Sequence, residues 1–199
     1  MTGRLRFDLT ATRVRNATGT GVVAYAAGFL ASFLAGRVRI GESLDQVTSA
    51  GIVFYNSHLV DLISTRPTGG SGGTSRDPIN LVTGRALSEF YASPTEGLHQ
   101  SPIPDAAWLL LPVVVLISAG VLVNVASDSE SVTAETAVLT GSLTTLGYFP
   151  LVVAGALLIG HRGEVYVYLL DLATATGVAG AMYPLVLGGL GGYFYHKLL

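Results

Sequence analysis

Apolar and polar residues alternate along this chain in long blocks, not with the short periods of a soluble domain. Four apolar blocks have the length of a membrane crossing: 19–36, 106–126, 137–160 and 165–195. A helix needs about 20 apolar residues to cross a hydrocarbon core roughly 30 Å thick. The first block follows Arg4, Arg6, Arg13 and Arg15, and no small-x-small cleavage pattern closes it, so it reads as a retained anchor. The second opens at Trp108, a residue suited to interfacial depth. The last is longer than one straight crossing requires. Tilt, a kink at Pro184, or an unwound end at Gly188, Gly189, Gly191 and Gly192 would absorb the excess.

A fifth block, 47–63, is long enough to cross but carries Asn56, His58 and Asp61. An aspartate at mid-helix costs about 2.5–3.5 kcal/mol on insertion, so this block crosses only if neighbours satisfy its polar groups. Basic residues bear on the choice. With the N terminus inside and 47–63 crossing, the inside collects Arg4, Arg6, Arg13, Arg15, Arg66, Arg76, Arg85 and Arg162, and the outside keeps Arg37, Arg39 and Lys197. If 47–63 stays on one face, the inside keeps five basic residues and the outside six. The charge bias favours five crossings with the N terminus inside. The expected fold is an all-α integral membrane helical bundle, a single domain of four transmembrane helices plus a fifth at 47–63.

The polar stretch 64–104 separates these blocks. Its glycine-rich part, Gly69-Gly70-Ser71-Gly72-Gly73, lacks a following Gly-Lys-Ser/Thr and reads as a linker, not a phosphate loop. Asp77-Pro78 is a good helix start. With Ile79, Val82, Ala86 and Phe90 at helical spacing, it predicts a short interfacial helix over 78–92. An internal echo links the last two blocks at an offset of 34. Gly147-Tyr148-Phe149-Pro150-Leu151-Val152-Val153-Ala154-Gly155 aligns with Ala181-Met182-Tyr183-Pro184-Leu185-Val186-Leu187-Gly188-Gly189. Related halves of opposite direction are a transporter device, and a shared packing requirement gives the same pattern.

Composition narrows the function classes. Half of the 199 residues are apolar and 12% are charged, against about 25% in soluble domains. A net charge of −2 offers no field for nucleic acid. There is no cysteine, hence no disulfide and no thiolate site. His58, His99, His161 and His196 are scattered without metal-ligand spacing, and no Gly-x-Ser-x-Gly occurs. No enzyme, metal site or cofactor is expected.

Candidate chemistry lies in Tyr55, Asn56, His58 and Asp61, with Asp171 further on, because polar groups inside a membrane are expensive to keep. Tyr55, His58 and Asp61 fall at i, i+3 and i+6 on a helix, so a His–Asp pair could relay protons or hold a cation. A polar patch bonding the facing helices is the structural alternative. Asp171, six residues into its block, suits either an ion site or the interface. Pro150 and Pro184 interrupt their helices and free backbone carbonyls, which need other partners. The bilayer is the first expected partner. A stripe of small residues, Ala24, Gly28, Ser32 and Gly36, would let a second copy or another membrane subunit approach.

The stretch Gly51-Ile52-Val53-Phe54-Tyr55-Asn56-Ser57-His58-Leu59-Val60 resembles a segment of an uncharacterised family of haloarchaeal multi-pass membrane proteins. Members carry a Gly-x-x-Phe-Tyr-Asn-Ala-His-Phe-Val-like segment after the first span. Ser57 and Leu59 depart from that pattern. The resemblance extends to Gly147-Tyr148-Phe149-Pro150-Leu151 and to the run from Tyr183 to Gly192, touching about two-thirds of the chain. It implies location in the cell membrane and fold, and draws attention to Tyr55, Asn56 and His58. Members are sometimes labelled transporters. The leading expectation is a small-solute or ion transport or permeation component, with Tyr55, Asn56, His58, Asp61 and Asp171 along a polar path. The alternative is a non-transporting membrane scaffold or partner subunit.

Overall fold

A computed structural model describes residues 10–35, 45–67, 74–83, 105–127, 133–162 and 167–198. Four stretches are long and apolar enough to cross a membrane: Ala11–Leu34, Ala107–Ala126, Ala134–Leu158 and Leu172–Leu198. They comprise α1 (Ala11–Ala35), α3 (Asp105–Ala126), the pair α4 (Ala134–Ser142) and α5 (Thr145–Leu158), and a final rod. That rod is a single turn, α6 (Leu172–Thr174), a π-helical segment (Ala175–Met182) and α7 (Tyr183–Leu198). Between α1 and α3 lie α2 (Gln46–Ser57) and two strands, β1 (Leu62–Pro67) and β2 (Thr74–Ile79). Strands β3 (Gly160–Arg162) and β4 (Val167–Leu170) join α5 to α6. The chain is a helical membrane protein. Its long helices turn large apolar side chains outward, among them Leu34, Val114, Leu157 and Val186, the surface that lipid requires.

Interhelical contacts give the directions. The Asn16 side chain donates to the Ala126 carbonyl at 2.9 Å, which sets the start of α1 beside the end of α3. Thr18 of α1 lies against Gly147 and Tyr25 against Gly155, so α1 and α5 run alongside in the same sense. The final rod returns, with Gly188 against Gly141 and Gly192 against Ala137. Thr10 and Leu198 therefore lie toward one side of the bundle, and the strands toward the other. The sheet is antiparallel throughout, in the order β2-β1-β4-β3, and Leu62 pairs with both Ile79 and Leu170.

Segment 47–63 departs from the expectation of one crossing helix. Asp45 caps α2 by accepting from the Val47 and Thr48 amides, each at 2.9 Å, and these bonds hold its carboxyl below the usual carboxylate range, the Thr48 amide foremost. The helix then runs only 12 residues, about 18 Å at 1.5 Å per residue. It points inward against the direction of α5: Gly51 sits at Ile159, Tyr55 at Val152 and His58 at Tyr148. The chain reverses at His58 and at Leu59, whose φ is 61°, and climbs out as β1. The segment is a re-entrant hairpin of helix and strand, tolerated at membrane depth because it is enclosed by protein.

Other boundaries shift with it. Residues 74–79 of the expected interfacial helix 78–92 and its approach are strand, Leu81–Thr83 form a turn, and 84–92 lie outside the described residues. The block 165–195 divides into β4 and a helix that continues to Leu198, with Gly188 to Gly192 helical, not unwound. Trp108, at the entry of α3, is buried against protein at 3% exposure. The small-residue stripe of α1 is used internally: Ala24, Gly28 and Ser32 are buried, and Gly28 lies against the Phe54 ring. Gly36 lies outside the described residues.

Candidate functional site: the tip of the re-entrant hairpin

Tyr55, Asn56, Ser57 and His58 are each 0% exposed. The C-terminal end of α2 would carry orphan carbonyls into the bundle, and the local sequence satisfies them. The Phe54 carbonyl accepts from Ser57 Oγ at 2.6 Å and from His58 Nδ1 at 2.7 Å. The Tyr55 carbonyl accepts the amides of His58 at 3.0 Å and Val60 at 3.1 Å, and the Asn56 carbonyl that of Leu59 at 3.0 Å. Because a carbonyl only accepts, Nδ1 of His58 carries the proton. Nε2 is then the acceptor for the Tyr148 hydroxyl at 2.7 Å. The imidazole is neutral in this arrangement, with both nitrogens engaged.

Aromatic rings enclose it. Phe54, Tyr183 and Tyr148 lie 4.6, 5.5 and 6.1 Å from the imidazole, centroid to centroid. Tyr25 packs edge-on against both Phe54 and Tyr148. The Tyr55 hydroxyl donates to the Val152 carbonyl at 2.5 Å. Gly155 makes room here, since a side chain there would overlap the hydroxyls of Tyr25 and Tyr55.

Asn56 ties the turn together. Its Nδ2 donates to the Val60 carbonyl at 2.7 Å, and its Oδ1 accepts the Leu81 amide at 2.9 Å. Asn80 continues the clasp: Nδ2 donates to Asp61 Oδ1 at 3.1 Å, while Oδ1 accepts the amides of Val82 and Thr83 at 3.1 and 3.0 Å. The hairpin is thereby stapled to the end of β2. Asp61 thus joins the cluster through Asn80.

Asp171 belongs to a different place. It caps the final rod, accepting from the Ala173 amide at 3.1 Å and from the Thr174 hydroxyl, and its own amide donates to the Asp61 carbonyl at 2.9 Å. Its carboxylate serves the helix start, away from the imidazole shell. The two prolines also separate. Pro150 is exposed on the lipid-facing side, whereas Pro184 is buried. Pro184 follows the π segment, where the Tyr183 amide reaches back to the Val178 carbonyl. The wider turn takes up the ring and the missing donor.

Sequence reasoning passed over Tyr25, Tyr148, Tyr183 and Asn80. A signal existed for two of them: Tyr148 stands two residues before Pro150 and Tyr183 directly before Pro184, and both rings reach His58. Among the described residues, no three His, Asp or Glu side chains gather as metal ligands. Chemically the cluster is a closed set of donors and acceptors.

The chain belongs to a family of unknown function, DUF7978, which matches residues 6–198. No curated protein and no solved structure matches it.

Proposed function

We propose that this protein is a non-transporting membrane scaffold or partner subunit, in which the α2–β1 hairpin is a fixed wedge that sets how the long helices pack. One observation supports this reading above others: His58 is fully buried, with both ring nitrogens bonded to protein atoms. A polar path has groups left over for its passenger, and in this cluster the partners are used up. On this reading the chain is not an enzyme, needs no cofactor, and resides in the cell membrane. Partner contacts fall to the sheet end of the bundle, because the Ala24, Gly28 and Ser32 stripe is occupied within the chain.

A second reading keeps one observation of its own. A re-entrant hairpin with a strained turn at Leu59 is a shape that could rearrange, and broken or half-length helices line solute sites in many transporters. In that case Tyr55, Asn56, His58 and Asp61 line the path of a small-solute or ion permeation component. The haloarchaeal resemblance of the Phe54–His58 segment fits both readings.

Flux separates them. Purified protein in liposomes is assayed for proton, potassium and small neutral solute entry against protein-free liposomes. The scaffold reading expects equal rates. Entry above the control that falls in His58→Ala and Asp61→Ala would establish the permeation reading instead.

A further inference from the structure

We infer that the groove between the N-terminal half of α1 and the C-terminal half of α3 is a binding site for one anionic phospholipid. The groove is open along its length, with a volume of about 490 Å³. Its deep end is formed by Val23 and Leu122, with Val125 beside them, and these three side chains are 63, 56 and 55% exposed. They lie on two membrane-crossing helices and face outward, so the medium that fills the groove is lipid. Its shallow end is formed by Arg15 and Asn16, close to the ends of both helices.

Three details make this more than a seam between helices. The Asn16 amide nitrogen is spent on the Ala126 carbonyl, which masks an acceptor at the end of α3 that would repel a phosphate. Thr20 turns its hydroxyl back onto the Asn16 carbonyl at 2.8 Å, leaving its methyl to the groove wall. Gly19 lines the floor, and a Cβ built there meets nothing within 4 Å. Helix packing therefore does not require this glycine, although glycine is a poorer helix former than alanine. What its missing side chain provides is the groove itself. The arrangement places a guanidinium at headgroup level over an apolar channel running toward the bilayer core, which matches a phosphate above an acyl chain.

The test is native mass spectrometry of the detergent-solubilised full chain, titrated with phosphatidylglycerol or with phosphatidylcholine. One phosphatidylglycerol should be retained per chain, with about fivefold preference over phosphatidylcholine, the effect of one basic side chain near a membrane surface. Arg15→Gln should bring the preference close to one. Gly19→Leu should lower retention of both lipids by filling the channel, with helicity unchanged by circular dichroism. Equal retention of the two lipids by the wild type would overturn the proposal, as would undiminished retention in a folded Gly19→Leu. Arg15 is exposed, so its variant folds and decides the question even if the glycine variant does not.

Discussion

Two regions of the bundle are held chiefly by different means. Around α3, α4 and α7, glycines let backbones touch: Gly120 and Gly141 lie against Gly188, Gly191 against Ile117, and Gly192 against Ala137. Around α1, α2 and α5, bulky rings and hydrogen bonds fill the space, centred on Phe54, Tyr55, His58 and Tyr148. Lipid supplies little hydrophobic drive between helices, so association rests on close packing and polar bonds. Glycine contacts also join α1 to α5, at Gly21 and Gly147, but the ring cluster with its bonds to His58 sits in the second region. The glycine region has no slack for an added atom, and the hairpin region has none for a lost hydrogen bond.

The largest expected effect comes from adding atoms to the glycine region. Gly192→Val would drive a side chain into the Ala137 carbonyl, backbone against backbone, costing about 3 kcal/mol or more. Thermal unfolding in detergent should show the loss, or the variant should fail to accumulate as folded protein. Next, Tyr148→Phe removes one hydroxyl and strands Nε2 of His58. A buried unpaired acceptor costs about 1–3 kcal/mol. A cycle with His58→Phe sharpens this, because the double variant should lose clearly less than the sum of the single ones.

A smaller effect of opposite sign is expected at the hairpin tip. Leu59 holds a left-handed conformation that costs a non-glycine residue about 1–2 kcal/mol. Leu59→Gly should raise stability by about 0.5–1 kcal/mol after glycine's own entropy cost. The smallest belongs to Gly177, which is exposed and meets nothing within 4 Å. Gly177→Ala should be neutral or stabilising by less than about 1 kcal/mol. If Gly177→Ala and Gly192→Val behaved alike, close backbone contact would not be what holds the glycine region.

The four long helices were legible because an apolar run of that length has few other uses. The polar tip was legible too, since Asn56, His58 and Asp61 stand out against Gly51-Ile52-Val53-Phe54. The sheet was not. Its strands run only three to six residues, too short for alternation to declare itself. Its central pairing joins Leu62 to Leu170, far apart in sequence. Missing the sheet misled the charge count: with β1 leading back out, the count that applies is the sequence-based five against six for a segment that stays on one face, which carries no bias toward five crossings. Asp171 read as either an ion site or an interfacial group, because the start of its helix lay hidden behind β4. Tyr25 and Asn80 carried no local signal, since each matters only through what the fold sets beside it.

The central claim is that 46–67 enters the bundle and leaves on the side it came from. Because the chain has no cysteine, single cysteines at exposed positions report sidedness cleanly in sealed vesicles. Thr10→Cys, Val47→Cys, Thr83→Cys, Glu135→Cys and Lys197→Cys are each probed with a membrane-impermeant maleimide. A re-entrant hairpin predicts Thr10, Glu135 and Lys197 on one side, with Val47 and Thr83 together on the other. Labelling that puts Thr83 on the side of Thr10, and Lys197 opposite both, would mean that the segment crosses, and would contradict the account.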